Sequence, residues 1–261
     1  MKVRLVVVSL VASLALTTMP GPAGPVPVVA ATARTGPFGT ATIDGVQRPG
    51  EWDAAAAVPF RIAMSQEAGG SSADATLFLM NDGKFLYAAL RVGAVYDRLT
   101  MRLVFDRDRQ FPLAQGDDSL EVTLDRAVTQ PAPLPFRDLF FGSCGGGTCW
   151  LDDTQAGSGN PPPGTTDGRA AGAFDLVSGY IEMAHPIAGP DRAHDLRLAL
   201  GAAAGFRLET SVSVGVGLGS GALPVRDGSM RPSRSDFSDF VLASARARIS
   251  TPQEVVDAIR V

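Results

Sequence analysis

The chain reads as a two-sheet antiparallel β-sandwich with a long Gly/Pro-rich loop and a short C-terminal helix. From Ala41 onward short runs alternate apolar with polar residues, Gly, Pro, Asn and Asp punctuate them, and almost no window carries a sustained 3.6-residue stripe. With roughly ten such runs and no helices to connect parallel strands, two packed antiparallel sheets suit the pattern better than a doubly wound fold. No constant internal period points to a propeller. The 261 residues, 45% of them hydrophobic, are enough for one domain with a sizeable core.

Taken in order, Lys2 and Arg4 precede an apolar run from Leu5 to Leu16, followed by Pro20 and Pro22. A charged start and a short greasy segment are the grammar of an export signal, expected to be cleaved after the small residues Ala30, Ala31, Thr32 and Ala33. The apolar run is well short of the roughly 20 residues that cross a bilayer, so no stable membrane span is expected once the signal is removed. The expected organisation is a signal peptide over 1–33, a linker over 34–40, a β domain over 41–249 and a helical tail over 250–261. Loss of the signal leaves 21 basic against 27 acidic residues, an acidic, secreted or extracytoplasmic product.

Within the domain, residues 75–80 and 85–92 form a hairpin candidate around Asp82-Gly83, because that dipeptide tolerates the left-handed backbone of a tight turn. Leu99 to Phe105 places Met101, Leu103 and Phe105 on one face and Arg102 and Val104 on the other. Residues 120–124 alternate again, and 139–141 form a weaker candidate. Residues 142–173 read as a surface excursion, since Pro161, Pro162 and Pro163 donate no ladder hydrogen bonds. Residues 179–187 resume period two, with Pro186 marking a strand end or bulge. The cleanest alternation runs from Phe206 to Val216 and turns Phe206, Leu208, Thr210, Val212, Val214 and Val216 toward a core, opposite Arg207, Glu209, Ser211 and Ser213. A last strand follows over 240–245, and Thr251 with Glu254 offers a capping box for a helix over 252–259.

Composition excludes several functions. A formal charge of −4 with no concentration of Lys or Arg argues against nucleic acid as a partner. Two His and two Cys are too few for a His-rich zinc site or a four-cysteine cluster. Cys144 and Cys149 bracket four residues, a spacing that closes as a disulfide ring in an oxidising compartment, its glycines relieving strain. The rival reading, a redox pair, meets neither the two-residue spacer nor the helix start of catalytic dithiols.

Ile43-Asp44-Gly45, Pro49-Gly50-Glu51-Trp52-Asp53 and the run from Asn81 to Tyr87 resemble the opening of family 9 carbohydrate-binding modules and their DOMON-like β-sandwich relatives. The likeness continues through Phe105-Asp106-Arg107-Asp108, Gly116-Asp117-Asp118, the run from Tyr180 to Pro186, and His194-Asp195-Leu196, in the expected order. The resemblance implies an extracytoplasmic sandwich that binds a polysaccharide or other glycan and often holds structural calcium. Trp150, Tyr96, Tyr180 and Tyr87 are the rings available to grip a sugar, while Trp52 matches an element that is structural in the family. Family members grip a terminal sugar between aromatic rings, and no second solvent-facing Trp can be matched here.

Asp106, Asp108, Asp117 and Asp118 lie between two expected strands, where carboxylates and backbone carbonyls together supply the six to eight oxygens calcium takes. The same loop also reads as a solvated turn, with Arg107 and Arg109 closing it through surface ion pairs. Asp44, Glu51 and Asp53 pose the same choice between a second cation position and a turn whose carboxylates accept backbone hydrogen bonds.

Catalysis finds little support. There is no Gly-x-Ser-x-Gly elbow to present a nucleophile beside His185 or His194-Asp195. Glu121 and Glu182 make a glycosidase pair only if strands bring them together. Met183 and His185 share a strand face, a poor arrangement for sandwiching haem. Two functions follow: a secreted, non-catalytic carbohydrate-binding module, stabilised by structural calcium where the acidic loop holds it, or an extracellular structural or protein-interaction β-sandwich that binds no sugar.

Overall fold

The computed structural model describes residues 37–65, 70–94, 96–109, 118–128, 133–135, 147–151, 167–189, 196–215, 217–223 and 238–242. Among them are eleven strands and no helix: β1 (Ala56–Met64), β2 (Ser72–Asn81), β3 (Phe85–Val92), β4 (Arg98–Asp106), β5 (Asp118–Asp125), β6 (Cys149–Leu151), β7 (Arg169–Phe174), β8 (Gly179–Pro186), β9 (Ala203–Val214), β10 (Gly217–Leu223) and β11 (Ser238–Val241). The expected signal peptide, the strand candidate at 139–141 and the tail helix lie outside the described residues.

The all-β expectation holds, but the two-sheet sandwich does not. One antiparallel sheet runs β6-β5-β4-β9-β10-β1-β2-β3-β8-β7, with β11 added beside β9. What separates a sandwich from this arrangement is β1, which pairs with β2 from Ala56 to Ala63 and also with β10 through Ala63 and Met64. A single strand therefore joins what alternation suggested were two layers, and the sheet curls into a nearly closed barrel.

Closure is completed by a strap. Leu134 N donates to Ala170 O on β7 at 2.8 Å, and Trp150 N on β6 donates to Pro135 O at 3.1 Å, so two adjacent residues bridge the two end strands. Leu134 is buried there. Opposite the strap, Gly172 admits Leu124 of β5: a Cβ at that position would sit 2.8 Å from Leu124 Cδ1 and 2.6 Å from Tyr180 O. The stretch 142–173 is corrected accordingly, because β6 and most of β7 fall inside it.

Alternation places most of the core as expected; Val214, expected inside, is 41% exposed at the end of β9, where the chain turns into β10, and Val216 lies outside the described residues. Met101, Leu103 and Phe105 of β4 and Phe206, Leu208 and Val212 of β9 point inward with β2, β3, β5 and β8. Phe105, Phe206 and Phe240 close one region of it, with ring centroids 5.4–6.0 Å apart. Gly83, in the expected hairpin turn, has φ +86°.

The outer surface divides in two. Over β2, β3, β8 and β7 the segment through Ala41, Ile43, Trp52 and Ala55 packs against Met80, Tyr87, Ala89, Ala171, Tyr180 and Ala184. Over β5, β4, β9, β10 and β1 no such layer exists among the described residues, and that half carries the site.

Candidate functional site

On the uncovered half, residues that alternation turns outward fall into rows across the strands. The middle row is Thr123 on β5, Thr100 on β4, Ser211 on β9, Ser220 on β10 and Ala63 on β1. Four neighbouring strands thus present a hydroxyl each, and Thr100 and Thr123 share a 3.0 Å hydrogen bond. A charged row lies to one side, Glu121, Arg102 and Glu209 in register, ending at Ala222. On the other side stand Arg98, Ser213 and Leu218.

These rows line a groove with two lobes, of about 780 and 510 Å³, which share Ala63, Thr100, Glu121, Ser211 and Ser220. Both volumes fall within the range of small-molecule sites. β6 forms the border: Leu151 pairs with Glu121 and Cys149 with Thr123, and both are buried in a small apolar cluster of their own.

The charges are held in place. Arg102 Nη2 donates to Ser119 Oγ at 3.3 Å, and its Nη1 lies 3.7 Å from Glu209 Oε2. Arg207, only 2% exposed, reaches Glu209 Oε1 at 2.9 Å. The expectation that Arg207 faces solvent with the polar side of β9 is corrected by its burial. Glu121 differs from all of these: it accepts no hydrogen bond and forms no ion pair among the described residues, and burial pushes its carboxyl above the ordinary range, against the pull of Arg102.

The four rings expected to grip a sugar are all buried. Trp150 points into the barrel at the seam, Tyr96 lies in the core after β3, and Tyr87 and Tyr180 sit beneath the N-terminal segment. Tyr87 donates its hydroxyl to Asp82 Oδ2 at 2.9 Å, and burial together with that carboxylate pushes its pKa up to about 12. Burial and the charge of Glu182 likewise raise Tyr180, whose hydroxyl donates to Glu182 Oε2 at 2.7 Å. Trp52 packs on Phe78 at 6.1 Å, in keeping with a structural role.

Of the four acidic residues considered for calcium, Asp106 is buried and Asp108 exposed at the end of β4. Asp117 and the side chain of Asp118 lie outside the described residues. No group of three or more His, Cys, Asp or Glu placed to hold a metal occurs among the described residues. At the N-terminal edge the turn reading prevails. Glu51 accepts from Thr42 N at 2.8 Å and Arg48 N at 3.2 Å, and Asp44 accepts from Val46 N and pairs with Arg48 at 2.6 Å.

Glu121 and Glu182 are not brought together, because β5 and β8 are not paired and Glu182 serves the other half of the surface. Its Oε1 accepts from Asp44 N and Gly45 N. His185 is buried with Nδ1 2.7 Å from Pro186 O. His194 lies outside the described residues. Cys149 is buried and no free cysteine occurs among the described residues, but Cys144 lies outside them.

Sequence reasoning missed Thr100, Thr123, Ser220 and Arg98 as groove residues. The polar face of β9 was visible as alternation, yet nothing local tells which strands flank it.

No protein-family model matches the chain, and no curated protein matches it in sequence. Among solved structures it is similar to a family 9 carbohydrate-binding module from Caldicellulosiruptor kristjanssonii in complex with glucose, at TM-score 0.51 and 14% identity over 82% of this chain and 97% of that one. The same module in complex with cellotriose aligns at TM-score 0.50 and 14% identity over 83% and 97%. At such identity the likeness is one of fold.

Proposed function

We propose that this chain is an exported, non-catalytic carbohydrate-binding module whose ligand occupies the groove over β5, β4, β9, β10 and β1. The observation that carries the reading is Glu121. A half-buried carboxyl with no hydrogen-bond partner among the described residues is held beside a row of hydroxyls in a groove of ligand size, at a cost to the fold that a ligand's hydroxyl groups would offset. The fold it shares with a module that binds glucose and cellotriose supports the same choice.

A glycan array probed with the exported chain, in buffer containing calcium, tests it. Enrichment on a defined set of glycans, lost in Glu121→Gln, is expected; an array without enrichment removes the assignment. Leu176 and Val177, 90% and 68% exposed at the β7–β8 turn, favour a second reading, an extracellular protein-contact surface. An empty array together with an extracellular protein whose binding Leu176→Ser abolishes would move the assignment there.

Two further parts belong to the proposal. A calcium ion at the loop of Asp106, Asp108, Asp117 and Asp118 would brace one end of the barrel, and uptake in calorimetry with chelator-sensitive melting is its signature. A Cys144–Cys149 disulfide would fix the loop bordering Thr123 and Glu121, and two reactive thiols in the folded, oxidised protein would exclude it.

A further inference from the structure

Strand register gathers one set of connections at a single end of the barrel. β1 finishes there at Met64, β3 at Val92, β5 at Asp125, β7 at Phe174 and β9 at Val214, and β2, β4, β8 and β10 start beside them. Seven large apolar side chains are exposed among the described residues, and five of them stand at this end. Leu176 and Val177 tip the β7–β8 turn, Val214 and Leu218 flank the β9–β10 turn, and Val128 follows β5. The other two, Val46 and Leu200, lie apart, in the N-terminal layer and beside the β2–β3 turn.

The turns that carry these side chains hold acceptors for their own backbone. Asp175 Oδ1 accepts from Val177 N at 2.7 Å and from Ser178 N at 2.5 Å, and Asp175 N donates to Ser178 O at 3.0 Å. Asp97 Oδ2 accepts from Gly215 N at 2.6 Å, Ser65 Oγ from Leu218 N at 3.1 Å, and Asp125 O from Val128 N at 3.2 Å. The apolar tips can therefore leave water without stranding these N–H groups, as an apolar medium requires.

Charge and shape decide which medium that is. Around the bases of the tips stand Arg91, Arg98 and Arg126 with Asp97, Asp125 and Asp175, three of each sign among the described residues, and Arg98 lies 3.3 Å from Asp125. Balanced charge supplies no field to draw an acidic or a basic protein. The apolar side chains stand on separate connections with those charges at their bases, not in one patch that the core of a protein interface would cover. A fluid bilayer takes separate tips without matched shape, and zwitterionic headgroups offer both signs to the charged ring.

We propose that this end of the barrel rests on a zwitterionic lipid surface, with Leu176 and Val177 leading into the boundary between headgroups and acyl chains. The contact is peripheral and does not rest on the glycan reading of the groove.

Co-sedimentation of the full exported chain with phosphatidylcholine vesicles tests it, beside vesicles containing about one fifth phosphatidylglycerol and in salt raised to about 0.5 M. Binding is expected in every case, with affinities within about threefold of one another. Leu176→Ser combined with Val177→Ser, on an exposed turn and checked for an unchanged melt, should weaken it about tenfold or more. In Leu176→Trp the added emission should shift to the blue on vesicles and be quenched by brominated lipid. Absence of sedimentation with phosphatidylcholine overturns the proposal, as does undiminished binding by the double variant, or binding confined to phosphatidylglycerol vesicles and lost at high salt. An extracellular protein that binds through Leu176 where vesicles do not would also overturn it and assign this end to protein contact.

Discussion

Glu182 and Glu121 are carboxylates that burial raises alike, yet they stand in opposite relations to the fold. Both oxygens of Glu182 are engaged, by Asp44 N, Gly45 N and the Tyr180 hydroxyl. Truncation in Glu182→Ala leaves those donors buried without an acceptor, a loss of about 2–4 kcal/mol. Thermal melts should show it as a fall of about 5–12 °C. Glu121 lacks such partners, so its contribution follows from the raised pKa. A carboxyl whose folded pKa exceeds its unfolded value, near 4.5, favours the fold below that pH and loses the contribution as pH rises through the folded value. Glu121→Gln is therefore expected to raise the melting temperature at pH 7 and to leave it unchanged near pH 4. Melts at the two pH values decide this, and a mutant less stable at pH 7 would contradict it. The structural part played by Trp52 was readable from its place in the opening motif. The burial of Tyr180 and Trp150 was not, because it depends on which distant segment covers each ring.

Among the elements, those with β-branched or aromatic residues in alternation were legible: β2, β3, β4, β5, β8 and β9 coincide with the expected strands to within a few residues. β1 and β10 escaped notice. β1, AAVPFRIAM, carries Pro59 in mid-run, which weakens a strand reading, and β10, GLGSGAL, has little side-chain mass to mark a strand; both pair because neighbours supply the ladder. β6, three residues long, and the Ala- and Gly-bearing β7 hid in a Gly- and Pro-rich stretch. The strap at Leu134 and Pro135 had no local signature whatever, since it consists of two hydrogen bonds to strands far along the chain. Leu134 fills the seam between β6 and β7, so Leu134→Ala is expected to cost about 2–4 kcal/mol through the cavity it leaves. Urea titration should show a lower midpoint at an unchanged slope; an unshifted midpoint would mean the seam is held without it.

For the molecule as a whole, closure of the sheet makes one cooperative body of the barrel and the layer lying on half of it. Trp52 reports from that outer layer and Trp150 from the seam, so fluorescence and far-ultraviolet circular dichroism are expected to give coincident melts. An earlier fluorescence transition would show the N-terminal layer leaving first. That layer is also what distinguishes the two outer faces. Its apolar residues cover β2, β3, β8 and β7, while among the described residues no such layer lies over the polar side chains of β4, β5 and β9. Period-two alternation fixes which side chains share a face of a strand, so core membership, turns and the all-β class could be read along the chain. Joining of the layers through β1, meeting of the edges at the strap, and assembly of Glu121, Arg102 and Glu209 into one row could not. Each depends on pairing between segments distant in the chain, as far apart as Ala63 and Ser220, chosen by the free energy of the whole packed barrel rather than by any local pattern.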